Sequence, residues 1–382
     1  MRNAATYLRN WFWRSESIDR HRPDPWLWMP AAILLVLGLM MVLNTTYFLG
    51  IERTGDAFHY FKLHLIHIVA GLLILIPLSQ LSLSGLRRIA KPLFIASVLM
   101  LILLYVPGLG VVRGGARRWL RMGPIVVEPS DLVKFSLVFF LAEFLSRRQD
   151  RIKSFKQGPL AAFLIAGPVA LLILKQPDFG STVMIAFVLF AMLFAAGARG
   201  SHLAVAGGGA AAVLVFQAAA KSYRMKRLTT FLDPWATARG AGFQLIQSFI
   251  ALGEGGKWGV GLGAGRQKMF YLPESHTDFI FAVIGEEFGL IGAAVVIALF
   301  MAILFRGMRI AHDEPDPFAS LLAAGLTCLL SIQALINMAV VIGLIPTKGL
   351  PLPFLSYGGT SIVMAMATLG ALLALARRPA VR

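Results

Sequence analysis

Apolar positions along this chain come in long runs separated by short polar segments, and runs near 20 residues with few charges are what a helix needs to cross a bilayer. They fall at 27–47, 63–79, 90–107, 131–146, 158–174, 181–196, 201–219, 277–305, 318–343 and 356–377. The pattern predicts an all-α polytopic membrane protein with about ten transmembrane helices. A single membrane domain, 27–377, would sit between a polar N-terminal tail, 1–26, and a short tail, 378–382. The first run follows a polar stretch and ends in Asn44-Thr45-Thr46-Tyr47, not at a small-residue cleavage site, so it reads as an anchor. No internal repeat is visible, so the inverted-repeat signature of transporters is missing.

Composition agrees with that reading. Of 382 residues, 57% are hydrophobic and 14% charged, more apolar surface than a soluble fold of this size can hide. An ordinary cytosolic enzyme, a disordered chain and a disulfide scaffold are excluded. One cysteine, Cys328, lies inside an apolar run, so neither an internal disulfide nor a cysteine metal site is expected.

Charge adds orientation. The chain carries 36 Lys and Arg against 19 Asp and Glu, a net +17. In a soluble protein this would suggest nucleic acid. Here the basic residues sit in loops between apolar runs, where they set topology and meet lipid headgroups or phosphates, so no nucleic-acid partner is expected. Long loops are exempt from the positive-inside rule, and 108–130 and 220–276 are long. Outside them, 19 basic residues fall on the side of the N-terminus and 4 on the other, which predicts both termini in the cytoplasm. The two exempt loops then lie outside. A 57-residue outer segment between the seventh and eighth spans is where function is to be sought.

The first outer loop carries Arg117, Arg118 and Arg121 around Trp119, a cationic group suited either to headgroup anchoring or to an anionic substrate. Pro129, Ser130 and Asp131 read as a helix start. Asp131 and Lys134 are three residues apart, on one helical face, and could neutralise each other. A Lys within a span is costly unless paired or facing a cavity, so Lys134 is expected to line a polar interior.

The second outer loop begins with a basic cluster, Arg224 and Arg227 among it. An amphipathic stretch follows at 242–253, expected to lie in the interface or plug a cavity. Seven glycines between Gly253 and Gly265 form either a phosphate cradle or a hinge. A dinucleotide-like spacing from Gly259 has no strand before it and is discarded. Asp278 stands at the outer end of the eighth span beside Ser275 and Thr277, either as a helix cap or as a base acting on an anionic lipid. Glu286 and Glu287 lie about 12 Å deeper by helical rise and need partners, for which Arg306 or a Lys from another span could serve. The last outer loop, 344–361, is broken by prolines and glycines, and its charge, Lys348, should point at a polar site. No metalloprotease, Walker or Ser-His-Asp pattern appears.

Taken in order, GARRW, PSD with Lys134, QPDFGST (176–182), FLDPW, FQLIQS, QKMFYLPESHTDFIFA, GEEFGLIG and PTKGLPLPFLSYGG resemble the FtsW/RodA proteins, also called SEDS, over residues 27–377. The HTDFIF string and the Lys of PTKGLPLP are more similar to the division-type branch. The resemblance implies ten membrane helices with a large outer loop between the seventh and eighth. It implies a glycosyltransferase that polymerises lipid II on the outer face of the bacterial cytoplasmic membrane, at the septum. The family's catalytic Asp falls on Asp278, as general base on the 4-hydroxyl of the acceptor. Arg117, Arg118, Lys134, Arg224, Arg227 and Lys348 become candidates for the pyrophosphate, with Asp131, Glu286 and Glu287 in the polar interior. A divalent cation, magnesium or manganese, could bridge Asp278 and pyrophosphate. A class B penicillin-binding protein and other membrane proteins of the division complex are the implied partners.

The chain departs from the family pattern at Glu128-Pro129-Ser130-Asp131, where Gln-Pro-Ser-Glu is usual, and at Asn44-Thr45-Thr46, where small Ser or Ala residues are common. Three alternatives stay open: a flippase for the same lipid, using Lys134, Glu286, Glu287, Gln333 and Asn337; an elongation-type polymerase; and a scaffold without chemistry.

Overall fold

The computed structural model describes residues 23–113, 116–123, 125–219, 229–240 and 242–377. Among them are eleven α-helices: α1 (Pro25–Thr54), α2 (His59–Gln80), α3 (Leu83–Leu103), α4 (Pro129–Ser146), α5 (Pro159–Lys175), α6 (Phe179–Ala195), α7 (Gly200–Ala219), α8 (Phe243–Gly255), α9 (Ile280–Asp313), α10 (Pro317–Val341) and α11 (Gly359–Ala376). Helices α1, α2, α9, α10 and α11 are long and apolar enough to cross a membrane; α5 and α6 are apolar but shorter. Charges interrupt α3 and α4. The protein is a multi-pass membrane protein.

Local chemistry sets the ends. Asp24 accepts the Trp26 N–H at 3.1 Å with Pro25 in the first turn, and α1 stops at Gly55 in the left-handed region. Asp316 caps α10 by accepting from the Phe318 and Ala319 amides. At these same ends Arg306 pairs with Asp24 at 2.5 Å, and Arg87 with Asp316 at 3.0 Å and Glu143 at 3.2 Å. The charges that bound the apolar runs therefore tie α1 to α9 and α3 to α4 and α10.

Helix α10 forms the centre. Its apolar stretch is 72% buried, against 22% for α2 and 28% for α9, and it packs on α4, α6, α9 and α11. Leucine, isoleucine and valine side chains on α1, α2 and α9 face outward, Leu73 at 69% and Leu290 at 66% exposure. Apolar residues on every side of a helix fit a bundle whose outer face meets lipid.

The first outer loop folds into a small antiparallel sheet, a departure from an all-helical chain. Strands β1 (Gly110–Arg113), β2 (Ala116–Met122) and β3 (Ile125–Val127) pair in sequence order, with a bulge between Val111 and Val112. Val111 pairs with Trp119 and Val112 with Arg117, so the bulge, with Arg118 as its extra residue, puts Arg117 and Arg121 on opposite faces of the sheet. The three arginines therefore do not form one cluster.

Candidate active site

Asp278 lies in a turn, residues 272–279, that ends where α9 begins. The N-cap position of α9 falls to Phe279 and no side-chain cap bond is made there, so Asp278 is not that cap. The turn is held from two neighbouring elements. Asn337 of α10 donates its Nδ2 to the Asp278 carbonyl at 2.8 Å and to the Leu350 carbonyl at 2.7 Å. Ser356 donates its hydroxyl to the Thr277 carbonyl at 2.5 Å, and the Tyr357 N–H reaches the His276 carbonyl at 2.8 Å. Gln333, one turn before Asn337, donates to the Pro351 carbonyl at 2.8 Å. All these bonds use backbone oxygens, so the frame fixes where the Asp278 carboxylate stands without depending on its charge.

The last outer loop closes over this turn. Gly349 faces the carboxylate so closely that a Cβ there would lie 2.8 Å from Asp278 Oδ2. Next to it, Lys348 is half-buried, its Nζ 4.9 Å from the centre of the Phe179 ring. Burial pushes the Lys348 ammonium below its ordinary range. It likewise lowers the His276 imidazole, which Arg53 also lowers and Glu274 raises. Phe179 begins α6, whose cap Asp178 accepts the Ser181 N–H at 3.1 Å. The QPDFGST and PTKGLPLP segments, 170 residues apart in sequence, thus meet beside Asp278.

Below this surface lies a second group. Asp131 and Lys134 form an ion pair at 2.8 Å, Lys134 at 4% exposure. They line a small polar cleft with Gln333, Ser361 and Thr368. Glu128 donates its backbone N–H to the Thr360 hydroxyl and accepts from Ser130 at 3.1 Å. Burial, then repulsion from Asp131 and Asp178, pushes the Glu128 carboxyl up to about 8, so it holds its proton at neutral pH. A raised carboxyl pKa stabilises the fold at low pH and loses that contribution as pH climbs from the ordinary carboxylate range to 8. Glu128→Gln, which cannot ionise, is therefore expected to gain thermal stability over the wild type progressively between pH 5 and pH 8.5. A melting-temperature difference that does not change with pH would refute this.

A third group binds the long outer loop to the bundle. Glu286 and Glu287 are buried on α9. Neither pairs with Arg306, which pairs with Asp24: Glu287 pairs with Lys268 in the loop, and Glu286 accepts backbone N–H groups of the same loop. Lys268 Nζ lies 2.6 Å from Glu287 Oε1 and 2.6 Å from Asn44 Oδ1, and Asn44 Nδ2 donates to Glu287 Oε2 at 2.6 Å. Glu287 Oε2 also accepts the Gly263 N–H at 3.1 Å, and Glu286 Oε1 the Arg266 N–H at 2.6 Å. The Val260 and Gly261 amides bond the carbonyls of Glu286 and Glu287. The glycine tract is thus wrapped on the acid pair, neither a free cradle nor a hinge. Helix α9 departs from helical geometry at Gly289 (φ 66°, ψ −165°), where a Cβ would collide with the Lys257 and Gly259 backbone of the same loop.

Of the remaining sequence candidates, Arg118 donates to the Gln176 and Pro177 carbonyls at 3.3 and 2.6 Å, holding the turn before α6. Arg117 is exposed on β2. Arg224 and Arg227 lie outside the described residues. Spacing along the chain did not reveal Lys268 or Ser356, and it assigned Asn337 to a transport path, because each acts on a segment far away in sequence.

A family model described as a cell cycle protein of the FtsW/RodA/SpoVE type matches residues 25–380. A probable peptidoglycan glycosyltransferase FtsW of Geobacter sp. (strain M18) is 40% identical over 350 residues, covering 92% of this chain and 95% of the relative. Stage V sporulation protein E of Bacillus subtilis (strain 168) is 39% identical, covering 93% and 97%. Among solved structures, a chain from work on the structural coordination of polymerization and crosslinking by a peptidoglycan synthase complex superposes with TM-score 0.76. It is 31% identical and covers 93% of this chain and 98% of its own. The rod shape determining protein RodA of Thermus thermophilus gives TM-score 0.69 at 27% identity, covering 94% and 97%.

Proposed function

This chain belongs to the FtsW/RodA/SpoVE family of cell cycle proteins, and from that premise we propose that it is a division-type peptidoglycan glycosyltransferase with Asp278 as its general base. The observation that carries the reading is a carboxylate in a backbone-braced turn, faced by Gly349 with Lys348 beside it. The substrate is lipid II. The acceptor's 4-hydroxyl gives its proton to the Asp278 carboxylate while its oxygen bonds to C1 of the donor sugar. The bond from C1 to phosphate breaks on the opposite face, the anomeric centre inverts, and undecaprenyl pyrophosphate leaves with the electron pair.

Pyrophosphate leaves readily once its charge is met by cations, so a second carboxylic acid is unnecessary. Lys348 is the cation adjoining Asp278 along the closing loop. Arg117 and the loop residues Arg224 and Arg227 are proposed to meet the same substrate further out. Lys134, paired with Asp131, keeps the cleft beneath polar. Among the described residues no three His, Cys, Asp or Glu side chains converge to hold a metal ion. If a magnesium or manganese ion took part, Asp278 would be the residue to hold it, and the ion would supply positive charge to the leaving pyrophosphate.

The protein is proposed to sit in the cytoplasmic membrane at the septum, with both termini inside. Its partner there is a class B penicillin-binding protein, which crosslinks the strands, within the membrane complex that divides the cell. The flippase reading loses support because Gln333 and Asn337 spend their amide N–H groups on loop and turn carbonyls.

Labelled lipid II incubated with the purified protein and its transpeptidase partner should yield glycan polymer on a gel. Lipid translocation in proteoliposomes without any polymer would overturn the proposal. Gly349→Ala tests the geometry. Its methyl group would intrude on Asp278 Oδ2, so polymerisation should fall at least about tenfold with the melting temperature little changed. Wild-type rates in this variant would show that the loop does not set the carboxylate's place.

A further inference from the structure

Beside Gln176 and Pro177, a cavity of about 230 Å³ opens between the end of α3, strand β2 and the end of α5. It is lined by Leu104, Tyr105, Arg117, Lys175, Gln176 and Pro177. Arg117 and Lys175 are exposed cations at its mouth. Gln176 is 2% exposed, and neither its Nε2 nor its Oε1 makes a hydrogen bond of good geometry. The Tyr105 hydroxyl beside it donates to the Leu172 carbonyl at 2.7 Å and so can only accept from Nε2, which leaves Oε1 with no donor. The Gln176 backbone is fixed as well: its N–H bonds the Ile173 carbonyl at 3.0 Å, and its own carbonyl accepts from Arg118.

A buried primary amide left unsatisfied is costly and rare, and it asks for a ligand or water to complete it. The chemistry around it says which ligand. Two cations and the Nε2 donor suit anionic oxygens, and the guanidinium suits a phosphate in particular. Oε1 can only accept, so the anion must bring a hydroxyl or amide donor beside its phosphate. Leu103, Val106 and Leu171 are exposed on the same helix ends, an apolar flank for a chain attached to that phosphate.

We propose that this cavity binds a lipid-borne phosphate bearing a neighbouring hydroxyl or amide donor, at a site separate from Asp278. Two lipids carry that chemistry: the pyrophosphate and N-acetyl sugar of lipid II, and the phosphoglycerol of phosphatidylglycerol. In the first case the cavity holds one of the two lipid-linked substrates that a polymerase must engage at once, and this arm alone rests on the glycosyltransferase reading. In the second it seats a bilayer lipid against the outer sheet.

Native mass spectrometry of the full-length protein, with lipid II and phosphatidylglycerol added in separate titrations, counts what binds. Gln176→Leu and Lys175→Met should each weaken binding of at least one lipid about tenfold or more, or remove one lipid II from the count. Asp278→Asn should leave that binding unchanged, which keeps the result independent of catalysis. Gln176→Leu also removes the orphaned amide, so its ligand-free melting temperature should equal or exceed that of the wild type, separating a lost ligand from a damaged fold. Loss with lipid II alone assigns a substrate subsite, and loss with phosphatidylglycerol alone a bilayer lipid. Unchanged affinity and count for both lipids in both variants would overturn the proposal.

Discussion

Asp278→Asn is expected to make no glycan polymer from lipid II, yet to fold and to bind lipid II as the wild type does. The substitution is nearly isosteric and removes the negative charge together with the ability to take a proton. Positioned general bases contribute about 10²–10⁴ in rate, so the loss should exceed a hundredfold and read as absence on a gel. The bonds that hold the turn run from Asn337 and Ser356 to the carbonyls of Asp278 and Thr277, not to the carboxylate. They survive the change, and melting temperature is the control that proves it. Polymer from the variant at wild-type rate would remove Asp278 from the chemistry. A variant that unfolds would assign the carboxylate to structure, and lipid II binding by a folded, inactive variant separates the base from a substrate anchor.

How much of this was legible in the sequence follows the range of each interaction. Apolar runs are a local signal, and each of the ten overlaps a helix, five of which are long and apolar enough to cross a membrane. The Asp131–Lys134 pair is local too, being set by helical spacing. The sheet at 110–127 was missed because Arg117, Arg118 and Arg121 look like a basic loop until cross-strand pairing and its bulge separate them. The partner of Glu287 was missed for a different reason. Lys268 reaches it only because the outer loop folds back against α9, and no periodicity encodes that return. Asn44 looked like a departure in the first span, and it joins the same buried triad. Gln333 and Asn337 looked like polar groups on a transport path, whereas they brace the Asp278 turn and its covering loop. Residue types announced polarity in each of these cases; only the fold could say what the polarity was for.

The same triad carries the largest expected effect on stability. Lys268→Met leaves the Glu287 carboxylate buried with Asn44 and Gly263 as donors but no cation. Glu287→Gln leaves the ammonium with no anion at all. Breaking a buried ion pair from one side costs about 3–5 kcal/mol, enough to lower the melting temperature markedly or to prevent accumulation in the membrane. Replacing both partners is different. Lys268→Met with Glu287→Leu removes both charges and leaves only Asn44 and the Gly263 N–H to find new partners, so the double variant should be far less destabilised than the sum of the two single changes. Strict additivity in thermal or denaturant unfolding would mean that the pair contributes no coupling and that the loop is held by its backbone bonds to Glu286 and Glu287 alone. The triad touches none of the reacting atoms. Single variants that remain folded at low temperature should therefore still polymerise lipid II, with a wider spread of loop positions lowering the rate by less than Asp278→Asn does. Because Lys268 stands ten residues before Asp278 in the same outer loop, the buried pair fixes one end of the segment and the Asn337–Ser356 frame fixes the other. Loosening the first should change the apparent affinity for lipid II before it changes turnover, and the reverse order would place Lys268 in the chemistry itself.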